Sequence, residues 1–117
     1  MVAQSSPPQS ELTDEQIDRV FSALAAATRR DILRRTIERE QSVSTLAADY
    51  EMSFAAVQKH VAVLEAAELI VKRAEGRERL VRAAPDMIAR ARALLGRYEE
   101  MWRGRIDRLD ALLADPE

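Results

Sequence analysis

The chain has 117 residues, of which 47% are hydrophobic but only 4% aromatic, with three glycines; this points to a single, mostly helical domain. The absence of cysteine and the presence of one histidine, His60, exclude disulfides, thiolate metal sites, cysteine nucleophiles and paired-histidine zinc sites. The net charge of −2 hides an asymmetry. Residues 1–27 hold one basic and four acidic side chains, residues 28–97 fourteen and ten, and residues 98–117 three and six. A basic middle suited to a polyanion therefore lies between acidic ends.

Residues 1–11, rich in proline, serine and glutamine, read as a disordered tail, and residues 12–115 as the folded domain. The N-terminus has neither the basic flank nor the apolar stretch of a signal peptide, and no apolar run reaches the ~18–20 residues of a membrane span. A cytoplasmic location with no membrane partner is expected. Thr13 and Gln16 form a capping box with Leu12 and Ile17 as its staple, and Ile17, Val20, Phe21 and Leu24 share one helical face, predicting a helix to about Ala27. Thr28 is the expected cap of a second helix over about 29–39, with Ile32, Leu33, Thr36 and Ile37 as its apolar stripe. Ser42 is placed to cap a short helix over about 43–50, with Val43, Leu46 and Ala47 inward. Ser53 is placed to cap a fourth, to about Ala67, whose core face is Val57, Val61 and Leu64.

Beyond Leu69, the β-prone runs 70–74 and 77–82 flank Glu75-Gly76, a hairpin signal and the only sheet expected. Pro85 suits the first turn of a last helix, in which Ile88, Ala91, Leu95, Tyr98, Trp102, Ile106, Leu109 and Leu113 recur at spacings of three and four. Some 28 residues of helix would span ~42 Å, more than so small a domain can cover, so part of the stripe needs a partner. Gly96 and Gly104 mark places for a kink or a close helix approach.

Helix, four-residue turn, capped helix and basic hairpin are the winged helix-turn-helix plan, mainly α with a small β-hairpin wing and about five helices. The stretch Ser42 to Ala47, followed by Met52 to Glu65, resembles the ArsR/SmtB family of bacterial transcriptional repressors, whose recognition region reads roughly S-x-x-x-V-S-x-H-L-x-x-L; Ser53, Val57, His60 and Leu64 occupy matching places. Ala25 to Leu33 is similar to the family's D-P-T-R-R-x-I-L segment, and Arg73 to Arg79 to its R-x-x-G-R wing. The resemblance covers about residues 17–113.

Family members that sense metals do so through cysteines, or through histidine and carboxylates on the last helix. This chain has no cysteine, and its histidine is not there, so no metal and no cofactor is expected. Glu68 stands where the family has a glycine, and a left-handed conformation there would cost about 1 kcal/mol. Val61 replaces the family's leucine after the histidine.

The candidate DNA-binding residues are Ser53, Phe54, Ala55, Gln58, Lys59 and His60 on the recognition helix and Arg77 and Arg79 on the wing. Gln58 can pair with adenine, and Lys59 with guanine or phosphate; Ala55 and Ala62 allow close approach to thymine methyls. The plainer reading of Gln58 and Lys59 is a solvated helix face, and of Arg77 and Arg79 a charged edge that keeps strands from pairing. His60 either contacts the DNA backbone or is a half-buried brace. Arg29, Arg30, Arg34 and Arg35 either pair with nearby acids or touch phosphates. The resemblance assigns the first and last helices to a dimer interface, with Ile17, Phe21, Tyr98, Trp102, Ile106, Leu109 and Leu113 as its candidates and Trp102 as anchor.

These features make the expected function that of a homodimeric, sequence-specific DNA-binding regulator. It would repress transcription by occupying an imperfect inverted repeat of double-stranded DNA, without a metal signal. The alternative is a winged-helix protein-interaction module that reads no bases. An enzyme is not expected: Glu99 and Glu100 are adjacent on a helix and diverge, no phosphate-cradling glycine loop exists, and no nucleophile has a base.

Overall fold

The computed structural model describes residues 11–114. Five helices and three short strands follow in the order α1 (Asp14–Leu24), α2 (Ala27–Glu38), β1 (Gln41–Ser42), α3 (Val43–Ala48), α4 (Phe54–Ala66), β2 (Ile70–Glu75), β3 (Glu78–Ala83) and α5 (Pro85–Ala114). Of the predicted disordered tail, all but Glu11 lies outside the described residues; the Glu11 carbonyl accepts a hydrogen bond from Arg90 at 2.8 Å.

The capping box forms as its residues demand. Thr13 Oγ1 accepts from the Gln16 amide at 3.1 Å and Gln16 Oε1 from the Thr13 amide at 2.9 Å. The helix stops at Leu24, three residues before the predicted end, because Ala26 is extended (φ −109, ψ 133) and becomes the N-cap of α2. Thr28, the expected cap, lies inside α2, and no side chain caps that helix. Three consecutive alanines carry no stop signal, so propensity alone could not place this break. Ser42 and Ser53 cap α3 and α4 as expected, their hydroxyls accepting from Thr45 and Ala56 amides at 3.0 and 3.1 Å.

Three-strand pairing replaces the lone hairpin expected from the sequence. β2 and β3 are antiparallel, and β1 adds to the far edge of β3 through Gln41↔Val81 and Ser42↔Leu80, giving the order β1-β3-β2. A two-residue strand has too little alternation to be seen in sequence. The sheet ties the segment before α3 to the wing.

One core joins Val20 and Ala23 of α1, Ile32 of α2, Val43 and Leu46 of α3, Val57, Val61 and Leu64 of α4, Leu69, Ile70 and Val81 around the sheet, and Met87 of α5. Burying each of these larger aliphatic side chains is worth roughly 1.5–3 kcal/mol. Ile37, placed on the apolar stripe of α2 by its spacing, is instead 58% exposed. The last helix runs through Gly96 and Gly104 without interruption. Its 30 residues extend about 45 Å. Beyond Leu94, every residue to Ala114 other than the two glycines is exposed.

Candidate nucleic-acid interface

The orientation of α4 follows from its buried residues. Val57, Val61 and Leu64 are fully buried, which turns Ser53, Phe54, Ala55, Gln58, Lys59 and Ala62 to solvent. No acidic side chain lies in the first turn, so the helix's amide end keeps its positive potential. Phe54 is 48% exposed, and Gln58 stands one helical turn beyond it on the same face.

The wing turns one residue later than the sequence suggested. Cross-strand pairing ends at Glu75↔Glu78, so the two turn residues are Gly76 and Arg77. Gly76 has φ +61, the backbone that a tight hairpin turn requires at its first position and that glycine adopts without cost. On the strands, Lys72 is tied to Glu65 at 3.4 Å, and Arg73 to Glu40 at 2.9 Å and Glu75 at 3.0 Å. The bonds from Arg73 hold the Glu40 carboxyl below its usual range. Arg77 and Arg79 are exposed and enter none of the ion pairs among the described residues.

Helix and wing meet in a cleft of about 270 Å³ whose lining includes Phe54, Gln58, Arg77 and Arg79. Residues more than eighteen positions apart in sequence thus converge on one concave surface. Ser44 of α3 and Lys72 of β2 line the same cleft. Sequence reasoning missed both, because their membership depends on how α3 and the wing pack around α4. Ser53, Ala55 and Lys59 lie on the same exposed face of α4 but do not line the cleft.

His60 sits between the two faces, half-buried, with Nδ1 3.2 Å from Arg29 Nη1. A guanidinium only donates, so Nδ1 accepts, which puts the ring proton on Nε2. The same guanidinium donates to the Ala23 carbonyl at 2.8 Å and the Ser22 carbonyl at 3.0 Å, and Arg30 donates to the Leu24 carbonyl at 2.7 Å. No basic residue occupies the last turn of α1, so α2 supplies the cations for its carbonyl end. Arg34 pairs with Asp31 and Glu38 at 2.8 and 2.9 Å, and Arg35 with Asp49 at 2.8 Å. All four arginines of the expected basic patch are engaged within the chain, two by acids and two by carbonyls.

A larger cleft, of about 730 Å³, lies between α2, α3 and β3. The Arg34 and Arg35 ion pairs and a 2.5 Å hydrogen bond from Tyr50 to Asp31 lie in its walls. Its charge is largely compensated, unlike that of Arg77 and Arg79. Of the candidate dimer residues, Ile17 is half-buried; Phe21, Tyr98, Trp102, Ile106, Leu109 and Leu113 are exposed, Trp102 by 59% and Leu113 by 84%.

A scan of protein-family models finds none that matches the chain. Among curated proteins, the HTH-type transcriptional regulator Rv2034 of Mycobacterium tuberculosis is 37% identical over 81 residues, 69% of this chain and 76% of the relative. Among solved structures, an ArsR-like transcriptional regulator from Rhodococcus sp. RHA1 superposes with a TM-score of 0.74 at 30% identity, covering 84% of this chain and 92% of that one. The homodimeric winged helix-turn-helix DNA-binding domain of Mb0332 from Mycobacterium bovis, a possible ArsR-family regulator, matches with a TM-score of 0.60 at 26% identity over 76% of this chain and 88% of that one. By sequence and by fold, the chain belongs to the ArsR family of winged helix-turn-helix transcriptional regulators, a family of DNA-binding proteins and not of enzymes.

Proposed function

We propose that this regulator is a homodimeric repressor that lays the exposed face of α4 in the major groove of each half of an imperfect inverted repeat and blocks transcription by occupancy. The observation that carries the proposal is the cleft in which Phe54 and Gln58 of α4 face Arg77 and Arg79 of the wing. Gln58 and Lys59 would read base edges, and Ala55 permits close approach. The N-terminus of α4 at Ser53 would meet one phosphate, and the wing arginines the adjacent backbone. The Nε2–H of His60 is left as a donor to a phosphate oxygen. The exposed apolar side chains of α1 and α5 suit a dimer interface held away from the DNA through Ile17, Phe21, Tyr98, Trp102, Ile106, Leu109 and Leu113. The homodimeric state of the Mycobacterium bovis domain supports that arrangement.

Control would not run through a metal. The chain lacks cysteine, and among the described residues no three ligating side chains gather. Selection from a random duplex library at about 0.15 M salt should enrich an inverted repeat, bound ~10³-fold or more tighter than scrambled DNA. Weak, even binding to all duplexes would overturn the proposal in favour of a protein-interaction module.

A further inference from the structure

We infer that Arg29 is a positioning residue that couples the dimer helix α1 to the recognition helix α4 and thereby sets the half-site spacing this regulator accepts. The inference rests on the proposed reading of an inverted repeat by a homodimer. A single planar guanidinium holds three acceptors on two elements outside its own helix: the Ser22 and Ala23 carbonyls at the end of α1, at 3.0 and 2.8 Å, and Nδ1 of His60 on α4, at 3.2 Å. Rigid fork geometry makes such a three-point bracket orientational, which a lysine's single ammonium could not reproduce.

The helices it joins have different tasks. The face of α1 bearing Phe21 is the candidate dimer surface, and Phe21 immediately precedes Ser22, whose carbonyl Arg29 holds. His60 is two residues past Gln58 and next to Lys59, the candidate base readers. A change in the angle between α1 and α4 would move the two recognition helices of a dimer relative to one another, and half-site separation follows that geometry. The bonds are directional, while the apolar contacts between α1 and α4 are not. Loss of the bracket should therefore loosen the angle before it unfolds the domain.

The test compares wild type, Arg29→Met, His60→Leu and His60→Asn on the selected operator and on versions with the half-sites moved by one and two base pairs. Sedimentation and thermal melting accompany each titration. Asparagine keeps an acceptor near the Nδ1 position and leucine does not. Arg29→Met and His60→Leu should stay dimeric and bind the best operator about tenfold more weakly, the scale of a lost hydrogen bond to a charged group, with their preference among spacings flattened. His60→Asn should recover that preference. A lower melting temperature with wild-type spacing discrimination would reduce Arg29 to a helix cap and overturn the inference. So would His60→Leu and His60→Asn discriminating alike, a comparison that stands even if Arg29→Met does not fold. Wild type with no operator preference at any spacing would instead overturn the proposed function, and this inference with it.

Discussion

Glu68 closes the recognition helix in a left-handed conformation, φ +63, where the sequence puts a charged residue in place of the expected glycine. The Leu69 amide reaches back to the Leu64 carbonyl at 3.0 Å and the Glu68 amide to the Glu65 carbonyl at 2.9 Å, so the closing hydrogen bonds form in spite of the side chain. The strain is local and side-chain dependent. Glu68→Gly should raise stability by about 1 kcal/mol in denaturant melts, since glycine removes the left-handed penalty; a destabilised variant would show that Glu68 makes a compensating contact. Gln58 projects from the exposed face of α4. Gln58→Ala should relax discrimination at one base pair by ~1–3 kcal/mol while sparing binding to random DNA; equal losses on both would remove its reading role. Both positions were legible in the sequence, one from its place after the helix and the other from its distance to the core stripe. Arg29 was not, because its three acceptors lie six, seven and thirty-one residues away.

At the scale of elements, the wing and the helix-turn-helix are held together by different means. The wing hangs from the sheet, and Arg77 and Arg79 enter no ion pair among the described residues, so their charge is available to an anion. Arg77→Glu should weaken binding to every duplex and flatten the dependence of affinity on salt, which counts the phosphates neutralised; an unaltered slope would take the wing out of the interface. Between α2 and α3, Tyr50 donates to Asp31 at 2.5 Å and Arg34 to the same carboxylate at 2.8 Å. The bond from Tyr50 first, then that from Arg34, keeps the Asp31 carboxyl below its usual range. A carboxyl lowered in the folded state adds stability that is present above its unfolded value and lost as pH falls through the folded one. Tyr50→Phe should thus bring Asp31 closer to the usual range and make the acid loss of stability begin at higher pH, with a cost near neutrality of about 1 kcal/mol for the hydrogen bond. An unchanged acid limb in circular-dichroism melts would show that the pair does not couple α2 to the end of α3.

For the whole molecule, the dominant feature is a last helix of which only the first part has somewhere to pack. Met87 and Leu94 are buried, whereas Leu95, Tyr98, Met101, Trp102, Ile106, Leu109, Leu112 and Leu113 are left open to solvent. An apolar arc of this extent is unfavourable in an isolated monomer. Leu109→Asp should give monomers in sedimentation and abolish tight operator binding in the same step, because each half-site alone binds without the gain of linkage. A dimeric Leu109→Asp protein would move the interface off the C-terminal stripe. The acidic first stretch seen in composition contains α1, and the basic middle contains α2, α4, the wing and the start of α5, a helix that as a whole carries six arginines against five acids. Part of that middle proved to be internal: Arg29, Arg30, Arg34 and Arg35 are engaged by their own chain, and the outward cationic character of the site rests on Lys59, Arg77 and Arg79.

What the sequence by itself determined is whatever short-range physics encodes. The caps at Thr13, Ser42 and Ser53, the buried stripe of α4, the hairpin and the start of α5 at Pro85 depend on residues within a turn or two of one another. Tertiary structure alone decided the break at Ala25–Ala26, the joining of β1 to β3, the exposure of Ile37 and the use of the α2 arginines. It also decided which residues share the cleft with Gln58. Each of these is set by partners distant in the chain, whose closeness is the outcome of folding around one core and leaves no period or spacing in the sequence to read.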